Sequence, residues 1–244
     1  MIYMKFNSSS NKKRELDRLS EYNHFAYTAV LQNITDLLST YTNITDKIAL
    51  LDYYIRIIKK NVISDYENWV IDPHYLSLAD NVKEYFKLPR FGWFNFPTYY
   101  YNENEERVSV FTSHQEIQMQ DTDILVYPTE DRKITKWLEI IKENEDISSS
   151  IAHNLNYLPY IQMCLVLSGG HHQISAYRAY GRNLKLKVKT MDITKLFNYV
   201  STDGSKWLYK YSPEIDDDEI CEYRLALIYT LAKIKFRYET GEEI

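Results

Sequence analysis

The sequence predicts an α+β protein, with a helical N-terminal part, a mixed α/β core and a helix at the C-terminus. Near both ends, apolar residues recur every three or four positions, which is the spacing of one helix face. From residue 107 short alternating or continuous apolar runs take over, and these are typical of strands. The 244 residues are 45% apolar and 26% charged, which excludes a disordered or collagen-like chain.

The N-terminal part is expected to be mainly helical. The apolar spacing predicts helices over 12–40, 45–62 and 75–87. Asn43 or Thr45 can cap the second helix, and Pro89 ends the third. An irregular aromatic segment over 89–101 leads to a soft domain boundary between 1–101 and 102–244, although the pattern also fits one compact unit.

Strands and helices then alternate. Strands are predicted over 107–112, 123–127, 160–167, 184–188 and 206–211. Helices are predicted over 131–144 and 173–180, after Asp192, and from the acidic run Asp216–Asp218 to the C-terminus. Gly181 is expected to end the second of these helices, and Asp203-Gly204 is expected to form a turn.

The hydropathy, cysteine content and net charge of the chain indicate its compartment and its partners. No run approaches 18 apolar residues, and the N-terminal apolar run is too short for a signal peptide, so we expect a cytoplasmic protein without a membrane partner. Cys164 and Cys221 are expected to be free thiols. A net charge of -5 gives no overall attraction to nucleic acid, although a local basic patch remains open.

A pair of glycines marks the candidate site. The chain has only 6 glycines, and Gly169 and Gly170 are adjacent at the end of its most apolar predicted strand. They lead through His171 and His172 into a helix. Glycines before a helix N-terminus can direct backbone N–H groups at an anion, and Arg178 follows along the helix. A tight turn whose histidines cap the helix is the structural alternative.

The segment SGGHHQISAYRAYG resembles the phosphate-binding element of the ParB/sulfiredoxin-like fold. The preceding ILVYP, DRKITKWLEII and PYIQMCLVL segments are also similar to that fold in order, so the resemblance covers 123–188. It implies phosphate contacts from Gly169, Gly170 and His172. His171 occupies the position of the sulfiredoxin cysteine, which argues against sulfinic-acid reduction. Gln173 replaces the family arginine and supplies no charge.

The resemblance further implies a nucleotide such as ATP, ADP or CTP with Mg²⁺, used for phosphotransfer or as a nucleotide-dependent switch. It leaves open whether the protein is an enzyme. The implied catalytic residues are Glu130, Asp131, His171 and His172. The implied phosphate ligands are Ser168, Gly169, Gly170, His171, His172, Gln173, Lys133 and Arg178. No set of residues has the spacing of a metal site.

A protein without catalytic activity is the competing class. The glycine-poor, Ile/Lys/Asn/Tyr-rich composition also fits a phage or mobile-element factor that binds a host protein or nucleic acid. The 23 tyrosines include Tyr99-Tyr100-Tyr101, which fits either a stacking surface or core packing. The run Asp216–Glu219 fits a helix start better than a cation site, and His114 and His153 fit surface or loop positions, with a place for His153 over the glycine turn as the alternative.

Overall fold

Two long helices form residues 9–68 of the N-terminal part, as predicted, apart from the short connection between them. The computed structural model describes residues 9–68, 96–126, 131–143, 155–166, 170–182, 184–212, 218–220 and 222–242. Helix α1 spans Ser9–Ser39 and helix α2 spans Ile44–Asn68. The Asn43 side chain accepts a hydrogen bond from the Thr45 amide at 2.9 Å, so Asn43 is the cap of α2. The helix predicted over 75–87 lies outside the described residues.

The rest of the chain is mixed, which confirms the α+β class. Its strands are β1 (Tyr99–Tyr101), β2 (Arg107–Ser109), β3 (Phe111–Gln118), β4 (Asp123–Leu125), β5 (Leu155–Leu158), β6 (Met163–Val166), β7 (Lys185–Met191), β8 (Val200–Thr202), β9 (Lys206–Tyr209) and β10 (Asp218–Glu219). Its helices are α3 (Asp131–Glu143), α4 (His171–Ala179) and α5 (Tyr223–Thr240), with 3₁₀ turns at Pro159–Ile161 and Ile193–Leu196.

A five-stranded mixed sheet has the order β3-β7-β5-β6-β4. The pairs β7/β5 and β6/β4 are parallel, whereas β3/β7 and β5/β6 are antiparallel. Both faces of this sheet are covered at β6. Met163 and Leu165 pack in a core shared with α1, α2 and α5, and Cys164 and Val166 pack in a second core with α3 and α4. This alternation follows from the two-residue period of a strand.

Two smaller antiparallel units complete the described fold. Strands β10, β9 and β8 form one sheet, and β1 pairs with β2. The tyrosine run of β1 packs within the protein. Tyr100 stacks on Tyr199 with ring centroids 4.3 Å apart, and Tyr99 stacks on Tyr209 at 5.2 Å. The rings of Tyr99 and Tyr100 therefore pack on other tyrosines, and all three residues of the run are half-buried.

The strand predicted over 160–167 begins later than expected. Residues Pro159–Ile161 form a 3₁₀ turn, and Gln162 adopts a left-handed conformation at φ 52° before β6 starts at Met163. Proline has no N–H to give to a sheet, so β5 ends at Leu158, and the chain turns before β6 runs back antiparallel to it.

The predicted start of the C-terminal helix is wrong. Asp218 and Glu219 belong to β10, where Asp218 pairs with Trp207 and accepts a hydrogen bond from the Tyr209 hydroxyl at 3.0 Å. The helix begins at Tyr223, and the Glu222 side chain caps it by accepting from the Arg224 amide at 3.2 Å. Pairing with β9 therefore outweighs the preference of acidic residues for a helix start.

Over the described residues, the helices lack a segment with the length and hydropathy needed to cross a membrane.

Candidate functional site

The parallel pair β4 and β6 places two helix starts at one edge of the sheet. Asp123, Ile124 and Leu125 pair in register with Met163, Cys164 and Leu165. Four residues separate Val126 from α3, and three separate Val166 from Gly170 before α4. Helices α3 and α4 then pack against each other over the same sheet face. Both N-termini therefore lie near the carboxyl ends of adjacent parallel strands, where ligands bind in open α/β sheets.

Gly170 sets the geometry at the start of α4. It is the N-cap residue and has a left-handed backbone with φ 76° and ψ -14°. Residues other than glycine and asparagine seldom adopt this conformation. No side chain caps the helix at this residue. The Gly170 carbonyl accepts the first helical hydrogen bond from the Ile174 amide at 2.9 Å. The second glycine of the pair is thus required for the turn into α4.

The first turn of α4 carries three polar residues. His171 and His172 are half-buried, and Gln173 is only 3% exposed. Burial, together with the smaller effect of the neighbouring His172, lowers the pKa of His171 from 6.5 to about 4. The His171 imidazole is therefore neutral at pH 7 and offers hydrogen bonding instead of charge.

The other predicted residues do not all meet here. Ser168, Gly169 and Glu130 lie outside the described residues, and so does His153. Asp131 and Lys133 are in the first turn of α3, at the same edge as His171, and the Lys133 side chain is exposed.

Arg178 lies in the last turn of α4, about 10 Å along the helix axis from His171. It lines a cavity of about 290 Å³ with Arg182 and Asp123 at the opposite end of the β4–β6 pair. The structure does not bring Arg178 to the start of α4.

Metal and thiol chemistry find no support in the described part of the chain. Within it, no three His, Cys, Asp or Glu side chains are grouped closely enough to hold a metal ion. Cys164 is a free, buried cysteine, and burial raises the pKa of its thiol to about 12. The thiol is therefore protonated at neutral pH and poorly nucleophilic.

Sequence reasoning missed a polar cleft between α2, α5 and the turn at Gln162. Lys59, on the buried side of α2, is only 5% exposed. Its ammonium group donates to the carbonyl of Ile161 at 2.7 Å and lies 2.9 Å from the Asp123 carboxylate. A lysine at an apolar-face position, between Ile55 and Val62, was the available signal, because lysine is seldom buried without a partner.

Comparison with known proteins identifies the family but not the activity. A family model described as a family of unknown function, DUF6710, matches residues 3–241. The chain has no significant match among curated proteins or among solved structures. Because the family model spans nearly the whole chain, this protein belongs to the DUF6710 family.

Proposed function

We propose that the protein binds a phosphate-bearing ligand, a nucleotide with Mg²⁺, at the edge where α3 and α4 begin. In this proposal the core works as a divergent ParB/sulfiredoxin-like domain, and the bound nucleotide serves phosphotransfer or a conformational switch. The observation that carries the proposal is the convergence of two helix N-termini at the carboxyl ends of the parallel strands β4 and β6.

The electrostatics of this edge favour an anion. Each helix N-terminus carries a partial positive charge, and its first N–H groups point along the axis toward a ligand. The left-handed Gly170 allows the backbone to turn directly into α4 without a side chain above the helix start. These features support phosphate binding at this position and do not depend on the charge of His171.

The proposal gives each group a role. His172 and the neutral His171 donate hydrogen bonds to phosphate oxygens, together with backbone N–H groups of residues 168–173. Lys133, exposed in the first turn of α3, supplies the positive charge that Gln173 cannot supply. In a phosphotransfer reaction, Glu130 or Asp131 accepts the proton of the attacking hydroxyl.

Thermal unfolding with and without nucleotide tests the proposal. We expect ATP, ADP or CTP, each with Mg²⁺, to raise the melting temperature, because a ligand of the folded state stabilises it by mass action. His172→Ala should remove at least half of that increase. His114→Ala is the matched control, because His114 is an exposed histidine on β3, away from this edge.

Two outcomes would count against nucleotide binding. One is the absence of any shift with all three nucleotides at millimolar concentration. The other is a His172→Ala protein with a lower melting temperature but an unchanged nucleotide-induced shift, which would show that the histidine has only a structural role.

Nucleic-acid binding without catalysis is a second candidate, favoured by one surface. Lys185, Lys187 and Lys189 alternate along β7 and are all exposed, on the sheet face opposite Leu186 and Val188. The neighbouring β3 is the edge strand in the described sheet. Such a row of cations suits a phosphate backbone even though the whole chain is acidic.

Salt dependence distinguishes this candidate from the first. If the β7 lysines bind nucleic acid, affinity for a single-stranded oligonucleotide should fall steeply with salt concentration. A Lys185→Gln/Lys187→Gln/Lys189→Gln variant should then show a shallower slope. Equal binding by the variant and the wild-type protein would exclude this surface, and the nucleotide-induced shift should be unaffected in either case.

A further inference from the structure

We infer that the cleft between α2, α5 and the Gln162 turn is a second anion site, which takes the phosphoryl group of a small molecule. The cleft has a volume of about 600 Å³, within the range of small-molecule sites. Its charged lining residues are Asp52, Arg56, Lys59, Lys60, Asp123 and Lys235.

The floor of the cleft is held rigidly. The Lys59 ammonium donates to the consecutive carbonyls of Ile161 at 2.7 Å and Gln162 at 3.4 Å, and it pairs with Asp123. These three acceptors match the three protons of an ammonium group. The left-handed conformation of Gln162 forms the turn that presents both carbonyls, at a cost of about 1 kcal/mol or more for a residue with a side chain.

Among the described residues, two cations on the α2 side of the cleft have no partner of opposite charge. Arg56 and Lys60 are one helical turn apart on α2 and are both exposed. Within the described segments, neither has a carboxylate within ion-pair distance, and Arg56 lies over the Tyr53 ring, 5.8 Å from its centroid. Arginine and lysine side chains about 5–6 Å apart at their Cβ atoms can grip one phosphoryl group from two sides.

The remaining charges cancel in pairs. Lys59 is neutralised by Asp123, and Lys235 on the opposite wall is held by Asp52 at 2.7 Å. Lys235 also lies over the Tyr160 ring, 5.2 Å from its centroid. Glu239 also lies 3.5 Å from Lys235, so the charged groups of the cleft, counted with Glu239, leave an excess of one positive charge in a chain whose net charge is -5. Among the described residues, Arg56 and Lys60 are the cleft cations without a carboxylate partner, and these two charges match a doubly charged phosphate group.

The cleft is separate from the edge of the sheet where α3 and α4 begin. Gln162 and Asp123 lie at the amino ends of β6 and β4, whereas α3 and α4 begin beyond the carboxyl ends of these strands. Ligand binding at one place can therefore be removed without touching the residues of the other.

Titration calorimetry with inorganic pyrophosphate at constant ionic strength tests the inference. We expect Arg56→Gln/Lys60→Gln to weaken binding in the cleft at least about tenfold, because both charge-assisted contacts are lost. Lys136→Gln/Lys142→Gln is the matched control, since it removes two exposed cations from α3 and should leave the affinity unchanged. Phenyl phosphate in place of pyrophosphate shows whether the site prefers an organic phosphate or the inorganic ion.

The two variants distinguish binding in the cleft from binding at the edge where α3 and α4 begin. His172→Ala should leave the binding that is sensitive to Arg56 and Lys60 intact. Absence of pyrophosphate and phenyl phosphate binding by the wild-type protein would overturn the inference. So would binding that His172→Ala removes and Arg56→Gln/Lys60→Gln does not. Hydrogen exchange gives an independent readout, because the bound ligand should slow exchange in α2 and around Gln162.

Discussion

At the scale of single residues, Gly204 shows how a turn holds a distant helix. Its φ of +89° is left-handed, and a Cβ at this position would overlap the Cβ and Cγ atoms of Tyr27 in α1. Two hydrogen bonds from α1 lie close to this contact. The His24 ring bonds the Asp203 carbonyl at 2.8 Å, and buried Asn23 donates to the Ile220 carbonyl at 2.7 Å. The turn between β8 and β9 is thus the docking point of α1.

Substitution of this glycine should be costly. We expect Gly204→Ala to lower the free energy of unfolding by about 3 kcal/mol, because backbone strain and overlap with Tyr27 add together. Gly181→Ala should cost only about 1 kcal/mol, since Gly181 also has a positive φ but has open space around it. Urea unfolding measures both changes. Equal losses would show that Tyr27 does not press against the turn.

His171 should make stability depend on pH. Its pKa is about 4 in the folded protein and 6.5 when exposed, so the unfolded chain binds the proton more tightly. Its contribution is complete above pH 6.5 and is lost as the pH falls toward 4, by at most about 3 kcal/mol. Unfolding measured from pH 7 to 4.5 should show a shallower dependence for His171→Gln. Identical pH dependence in both proteins would contradict the burial of a neutral imidazole.

At the scale of secondary-structure elements, Arg224 joins the start of α5 to the end of α2 through two ion pairs, one with Glu222 and one with Asp65. Glu222 is 7% exposed and accepts from Nε and Nη2 of Arg224, each at 2.8 Å. Nη1 of Arg224 also donates to Asn61 at 2.6 Å and to Asp65. Arg224 therefore supports the helix cap and links the two helices.

Removal of this arginine should destabilise the protein through the loss of its hydrogen bonds to buried Glu222. We expect Arg224→Met to reduce the free energy of unfolding by about 3 kcal/mol, because the buried Glu222 carboxylate would lose both charge-assisted hydrogen bonds from the guanidinium group. Lys142→Met, at the exposed end of α3, should change it by less than about 0.5 kcal/mol. Calorimetric unfolding of both variants makes the comparison, and a small effect at Arg224 would mean that water or another group satisfies Glu222.

Helices and strands could be predicted where neighbouring residues in the sequence determine them. The three- and four-residue spacing located α1 and α2, and the two-residue period with its lysines located β7. Gly181 follows α4 with a left-handed backbone, as its C-terminal position predicted. The predicted start of α5 was wrong because Asp218 pairs with Trp207 in a strand, and tertiary structure decides this pairing.

At the scale of the whole molecule, one core joins both halves of the chain. Leu51 and Ile55 of α2 pack in the same cluster as Leu165 of β6 and Leu227 of α5. The helices of the N-terminal part thus cover one face of the sheet that the C-terminal part builds. The soft boundary predicted near residue 101 remains a prediction about folding.

That boundary can be tested with a fragment. We expect residues 102–244 alone to lack a cooperative thermal transition, because loss of α1 and α2 exposes the apolar face of β4 and β6 and one side of α5. The full chain should unfold in a single transition in near-ultraviolet circular dichroism. A fragment that melts cooperatively with the native near-ultraviolet signal would show that 102–244 is an independent domain.

The sequence by itself determined the α+β class, the helices α1 to α4, the strands β4, β6, β7 and β9, and the special position of Gly170, because these depend on periodicity and backbone freedom within a few residues. Only the tertiary structure decided that Arg178 lies far from the start of α4 and that Lys59 meets Asp123 and the Gln162 turn. Such groupings depend on how strands pair and helices cross, and residues separated by some 100 positions carry no local signal of their contact.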